Sequence, residues 1–209
     1  MKLWHCAGTR SFRPLWCLEE MGLSYDLRLM AFPPRVTEPD YLDLNPFGTT
    51  PTFTDGDTLM TESSGICHYL TARHGPTPLA VQPEEEDYGR YLNWLYQSDA
   101  TLTFPQTLVL RYGVFEPEER RLPQAVEDYT RWFFSRLKGA AKLLGDRDYV
   151  AAGRFTIADI GFAYALRLAE MLKLGAFPEN VAAYWARMQA RDGYRRAIGK
   201  EAGAALFIS

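Results

Sequence analysis

Pro51, set between two threonines at the mouth of an apolar run, constrains this chain more than any other single residue. Its surroundings read Asn45-Pro46-Phe47-Gly48-Thr49-Thr50-Pro51-Thr52-Phe53, with Glu62-Ser63-Ser64 following. Proline cannot donate to a sheet ladder, so Pro51 has to open a strand rather than sit inside one. An X-Pro bond in so tight a turn is also where a cis peptide is tolerated. A cis bond would turn the carbonyl and amide of Thr50 outward, free to pair with an extended peptide laid alongside. Residues 52–54 and 58–60 flank Asp55-Gly56-Asp57, a hairpin signal. Glu62 and Ser63 then stand at a helix start, whose orphan backbone N–H groups suit an α-carboxylate. Together these features describe a socket for a small peptide with a free amino-acid end.

The first 75 residues alternate strand and helix signals. Residues 2–6 read as a strand, 11–22 as a helix terminated by Gly22, and 25–30 as a second strand. Residues 37–44 read as a short helix capped by Thr37, and 63–74 as the helix that closes the unit. The order βαβ, α, ββ, α is that of a thioredoxin-like α/β fold, one mixed sheet with helices on both sides. Gly75-Pro76-Thr77-Pro78 opens a linker over 76–84. The acidic run Glu84-Glu85-Glu86-Asp87 reads as a solvated helix start, since carboxylates favour the first turn. From 85 to 209 helical periods dominate. Tyr88, Tyr91, Leu92, Leu95 and Tyr96 form one stripe, and Tyr129, Trp132, Phe133, Arg136 and Leu137 another. Phe162, Ala165, Leu166, Ala169 and Leu172 form a third. Pro105, Pro117 and Pro123 break or begin helices. The second unit therefore reads as an all-α bundle.

Composition narrows the function classes. With 209 residues, 47% apolar and 23% charged, the chain has an ordinary globular balance and enough length for a sizeable core. A net charge of −3 offers no basic field to nucleic acid and no polybasic patch to a membrane. Met1 to Cys6 runs straight into a strand with no apolar secretory segment, so a cytoplasmic protein is expected. Cys6, Cys17 and Cys67 are odd in number and form no C-x-x-C pair. They read as small buried hydrophobes rather than a disulfide framework or redox centre. His5, His68 and His74 lack metal-ligand spacing, so no metal site is expected. Glu19-Glu20 reads as a solvated helix face. Thr156-Ile157-Ala158-Asp159 resembles a capping box with Asp in the Glu position, which assigns Asp159 to folding rather than chemistry.

The set Asn45-Pro46, Gly48, Pro51 and Glu62-Ser63, with the following Ile66-Cys67-His68-Tyr69-Leu70, resembles the glutathione-binding domain of the cytosolic glutathione transferases. A second segment, Tyr149-Val150-Ala151-Ala152-Gly153-Arg154-Phe155-Thr156-Ile157-Ala158-Asp159, resembles the capping segment of that family's helical domain. The resemblance spans essentially the whole chain. It implies glutathione as co-substrate, held by Thr50, Pro51, Glu62, Ser63 and Arg35, and a cytoplasmic homodimer with no metal. It also places a thiolate-stabilising donor in Cys6-Ala7-Gly8-Thr9-Arg10-Ser11-Phe12-Arg13-Pro14.

Thr9 aligns with the hydroxyl of serine-type members, and Arg10 with the cysteine of the bacterial beta class. Thr9 is thus the first choice of donor, Ser11 the second, and Arg10 a cationic helper. Ser11 and Thr9 also fit plain helix capping. The resemblance puts a second, apolar substrate in a cleft walled by Trp94, Tyr96, Tyr112 and Phe115, aromatics that also suit a helical core. Asp99 stands where an acid often reaches the glutathione amino group across the dimer. The implied reaction is thiolate attack on an electrophile. Glutathione-dependent disulfide or peroxide reduction, and a non-catalytic binding protein on the same fold, are the alternatives.

Overall fold

The computed structural model describes residues 1–207. Its contacts divide the chain into two units, Met1–Ala80 together with Gln189–Phe207, and Val81–Met188. The first is built on a four-stranded sheet of order β2-β1-β3-β4. Strand β1 (Lys2–His5) pairs parallel with β2 (Asp26–Leu29) and antiparallel with β3 (Thr52–Asp55). Strand β3 pairs antiparallel with β4 (Thr58–Met60) through the expected Gly56 turn. Helix α1 (Phe12–Met21) provides the βαβ crossover and ends at Gly22, whose φ of 63° only glycine adopts freely. Helix α4 (Ser63–Arg73) closes the sheet unit. The thioredoxin-like order read from the sequence is the order observed.

Two local expectations differ. Residues 37–44 are not one helix capped by Thr37 but two single turns, α2 (Pro34–Thr37) and α3 (Tyr41–Leu44). Thr37 ends the first, and Pro39 lies in the gap, where its ring disfavours helix for the residue before it. The pair Glu19-Glu20 is not a solvated face. Helix α10 (Asp192–Lys200) packs against α1, so residues 189–207 join the first unit rather than the helical domain in which the sequence expectation placed them. Arg191 donates two 2.8 Å bonds to the Glu20 carboxylate, which also accepts from Trp16 Nε1 at 2.9 Å. Arg196 and Tyr25 donate to Glu19. Tyr194 stacks edge-on against Trp16 and Phe12, with ring centres 5.0 and 5.5 Å away.

In the second unit, α8 (Ile157–Met171) is buried on every side from Ile157 to Ala169, as the central helix of a bundle should be. Helices α5 (Tyr88–Gln97), α6 (Phe104–Leu110), α7 (Pro123–Leu144) and α9 (Glu179–Gln189) complete it. Pro105 does not break the path from α5 to α6. A π-helical stretch over Ser98–Thr103 widens the backbone just before it, and Phe104 N–H bonds back to Asp99 O. Pro123 opens α7, where its missing N–H costs nothing. The buried stripe of α7 is Phe133, Leu137, Ala140 and Leu144, while Trp132 remains 39% exposed.

The acidic run precedes α5 instead of forming its first turn. Glu85 pairs with Arg154 at 2.8 Å, and Asp87 accepts from Ala152 N–H at 2.7 Å. These two carboxylates anchor the loop that leads to the capping motif. There Asp159 accepts from Thr156 N–H at 2.8 Å, Val150 N–H at 2.9 Å, Tyr184 OH at 3.0 Å and the Thr156 hydroxyl at 3.2 Å. The reciprocal capping box forms as expected.

Candidate functional site

The Thr50-Pro51 bond is cis, as are Phe32-Pro33 and Gly75-Pro76. Pro51 immediately precedes β3, so it opens that strand without having to donate. The turn before it is tied down from inside. Fully buried Asn45 donates through Nδ2 to Thr49 O (2.8 Å) and to the Thr52 hydroxyl (3.1 Å), while its Oδ1 accepts from Phe47 N–H. The Tyr41 hydroxyl meets the same Thr49 carbonyl at 2.7 Å and the Thr52 hydroxyl at 2.5 Å. Gly48 holds φ at +61°, and a Cβ there would lie 2.8 Å from that of Arg35. The exposed Arg35 therefore packs its stem against Gly48.

Helix α4 begins where the sequence places it. Glu62 is exposed and extended at the N-cap position, and Ser63 is buried just inside. The Ser63 hydroxyl accepts from Arg13 Nη1 at 3.0 Å. Arg13 is only 1% exposed, so a guanidinium is buried directly behind the free N–H groups of this helix start. A positive charge therefore stands behind a helix start whose first N–H groups have no partner within the helix. Sequence reasoning passed over Arg13. A charged residue inside the apolar run Phe12, Pro14, Leu15, Trp16 was the available signal.

The β1–α1 loop brings together the expected hydroxyls. Thr9 Oγ1 donates to Cys6 O at 2.8 Å and lies 2.7 Å from Ser11 Oγ and 3.0 Å from Thr50 Oγ1. Ser11 occupies the N-cap position of α1 yet makes no side-chain cap bond. Its hydroxyl turns instead to His5 Nδ1 at 2.7 Å. Ser11 is completely buried whereas Thr9 keeps 8% exposure, so Thr9 is the member of the pair that meets the surface. Arg10 is half-buried on the same turn, and its carbonyl accepts from Arg13 N–H. Burial pushes the Cys6 thiol up to about 11, against the Thr50 hydrogen bond that lowers it, so it is inert at neutral pH. The hydrogen bond with Cys67, and then burial, raise the Cys17 thiol well above its ordinary value.

Two more residues reach this cluster unannounced by sequence. His5 ends β1 on its inward face and is fully buried. Its Nε2 lies 3.0 Å from Glu201 Oε1, close to the carboxylate but off the line of a good hydrogen bond. Glu201, past the end of α10, also accepts from Gly8 N–H at 2.9 Å. A polar residue at a core-facing strand position was a readable signal for His5; Glu201 offered none.

The positions expected to line a second-substrate pocket belong to the other unit and differ among themselves. Trp94 is 1% exposed and packed on Phe162 at 5.0 Å between ring centres, which is a core role. Tyr96 is 59% exposed on the same helix. Asp99 lies half-buried in the first π-helical stretch, and Tyr112 half-buried in the second, over Arg111–Phe115. Phe115 is 45% exposed. Among the described residues, no group of three His, Cys, Asp or Glu side chains is placed to hold a metal ion. Among the same described residues, no helix is long and apolar enough to cross a membrane.

Comparison with known proteins agrees with this geometry. Residues 9–73 match the family model of the glutathione S-transferase N-terminal domain, and residues 104–192 that of the C-terminal domain. A glutathione S-transferase of Hypomyces subiculosus is 29% identical over 176 residues, covering 77% of this chain and 80% of that protein. In fold, the chain is similar to a ternary complex of BphK, a bacterial transferase (TM-score 0.84, 22% identity, 96% of this chain and 99% of the other). It is equally similar to a sphingomonad glutathione S-transferase complexed with glutathione (TM-score 0.83, 24% identity, 98% and 100%). On the two matched domains, the relatives and the shared architecture, this chain belongs to the glutathione S-transferase family of enzymes.

Proposed function

We propose that this transferase ionises the glutathione thiol against the Thr9 hydroxyl and delivers the thiolate to an electrophilic carbon of an apolar substrate. The observation that carries the reading is the Thr9–Thr50 hydroxyl contact at 3.0 Å, which sets the loop donor beside the cis Thr50-Pro51 turn. In this reading the Thr50 backbone pairs with the cysteinyl residue, Glu62 holds the glutamyl amino group, and Ser63 backed by Arg13 takes the adjacent carboxylate. Arg35, on the rim of the turn, adds a cation for the remaining glutathione carboxylate, and Arg10 adds positive field at the thiol. Tyr96, Tyr112, Asp99 and Trp94 are the residues that the family resemblance offers for contact with the electrophile. The raised thiols of Cys6 and Cys17 favour conjugation over disulfide exchange through a protein cysteine. The chain acts as a cytoplasmic homodimer.

A charge-assisted hydrogen bond is worth about 1.5–3 kcal/mol, or roughly one to two pKa units. Thr9→Val should therefore raise the pKa of bound glutathione by roughly one to two units. Conjugation of a chlorinated nitrobenzene at neutral pH should slow about ten- to a hundredfold, with glutathione affinity little changed. Ser63→Ala should do the opposite, weakening calorimetric affinity by about 1–3 kcal/mol while leaving ionisation alone. A Thr9→Val enzyme that ionises bound glutathione at the wild-type pH removes Thr9 from the mechanism.

A further inference from the structure

We propose that His5, oriented by Glu201, accepts the thiol proton of bound glutathione through the Ser11 and Thr9 hydroxyls. The inference rests on the glutathione reading above and deepens it. The chain of contacts is continuous: Glu201 Oε1 to His5 Nε2 at 3.0 Å, His5 Nδ1 to Ser11 Oγ at 2.7 Å, Ser11 Oγ to Thr9 Oγ1 at 2.7 Å. His5 and Ser11 are completely buried, and Thr9 and Glu201 are 8% and 7% exposed. This is the carboxylate–imidazole–hydroxyl order by which a serine is activated, extended by a second hydroxyl toward a bound thiol.

Each hydroxyl has a single proton, which makes the chain directional. A carboxylate beside Nε2 favours the tautomer with the proton there, leaving Nδ1 as a base. Ser11 then donates to Nδ1, and Thr9 turns its proton from Cys6 O, at 2.8 Å, to Ser11 Oγ, at 2.7 Å. When the thiol ionises, its proton passes to Thr9 Oγ1, the Thr9 proton to Ser11 Oγ and the Ser11 proton to His5 Nδ1. Every hydroxyl now points the other way. The imidazolium donates to Ser11, Ser11 to Thr9, and Thr9 to the new thiolate. No proton is gained or lost, and the positive charge created on His5 faces Glu201. A plain capping role for Ser11 does not account for its uncapped helix start or for its bond to a buried imidazole. After product release the same chain returns the proton to solvent.

The wild-type enzyme gives a direct test. Glutathione is added, thiolate is followed by its ultraviolet difference absorbance, and proton release is measured by calorimetry in buffers of different ionisation enthalpy. Retention by His5 predicts fewer protons released than thiolates formed; one proton per thiolate overturns the relay while leaving the glutathione reading intact. Absence of both binding and thiolate overturns the two together. His5→Asn retains a partner for Ser11 without the base, and should raise the bound thiol's pKa by at least about one unit, slowing neutral-pH conjugation roughly tenfold or more. Its KM for glutathione should stay within about twofold, which separates proton transfer from binding. Glu201→Gln, which still accepts from Gly8, should shift the pH profile in the same direction. A wild-type pH profile in both variants refutes the proposal.

Discussion

Asp159 offers the sharpest test of the division between residues that fold this enzyme and residues that act in it. Its carboxylate is fully buried and accepts four hydrogen bonds. In Asp159→Ala, the Tyr184 hydroxyl can turn to Asp159 O, already 3.4 Å away, and the Thr156 hydroxyl can rotate. The N–H groups of Val150 and Thr156 cannot, because both residues are completely buried. Each orphaned donor costs about 1–3 kcal/mol. Against this stands the burial of the charge, which pushes the carboxyl up to about 6 despite the hydrogen bonds that favour ionisation. Relief of that burial offsets part of the loss, so the net cost at neutral pH should be about 2–4 kcal/mol.

The sign with pH follows. A folded-state value above the unfolded one means that this group's stabilising contribution is complete below about pH 4 and declines as the pH rises through 6. The penalty for Asp159→Ala should therefore be larger at pH 5 than at pH 8. Urea unfolding monitored by tryptophan fluorescence at both values measures it. A loss under about 1 kcal/mol, a penalty that grows with pH, or an inactive variant of full stability would each refute the assignment.

Three other outcomes are expected. A Cβ on Gly193 would lie 2.5 Å from Glu20 Cδ and 2.7 Å from Cγ, so Gly193→Ala should displace the Glu20–Arg191 pair and cost about 1–3 kcal/mol by thermal unfolding; an unchanged midpoint would show that Glu20 moves freely. The Asp55 carboxyl is held below its ordinary value, first by the hydrogen bond from His74 and then by that of Tyr69, so its contribution is present above pH 4 and lost as the pH falls through the lowered value. Asp55→Asn should accordingly lose stability at pH 7 but not at pH 2, and equal losses at both would contradict the pairing. Light scattering at micromolar concentration should return a dimer mass, because Phe104 and Trp132 meet edge-on at 6.2 Å while 47% and 39% exposed; a monomer mass would rule the homodimer out.

What the sequence determined by itself was local. Pro51 had to precede β3, Gly22 had to end α1, Gly56 had to turn the hairpin, and Thr156 with Asp159 had to cap α8. Each of these follows from one residue's backbone freedom or from a side chain bonding a peptide group a few residues away. The same short-range logic singled out Thr50, Glu62 and Ser63, because the turn and helix start that carry them are punctuated by proline, glycine and hydroxyl residues, whereas Thr9 rested on the family resemblance.

The tertiary structure decided what those positions face. Glu19 and Glu20 looked solvated because nothing in their own helix covers them; their partners, Arg196 and Arg191, lie 177 and 171 positions away. Ser11 looked like a cap, but His5 competes for its hydroxyl across the loop. Glu201 reaches Gly8 over 193 positions, and no pattern in either segment encodes that meeting. Backbone punctuation is written in nearest neighbours. The partner of a buried charge is fixed by which elements pack together, and that depends on the summed burial of the whole chain.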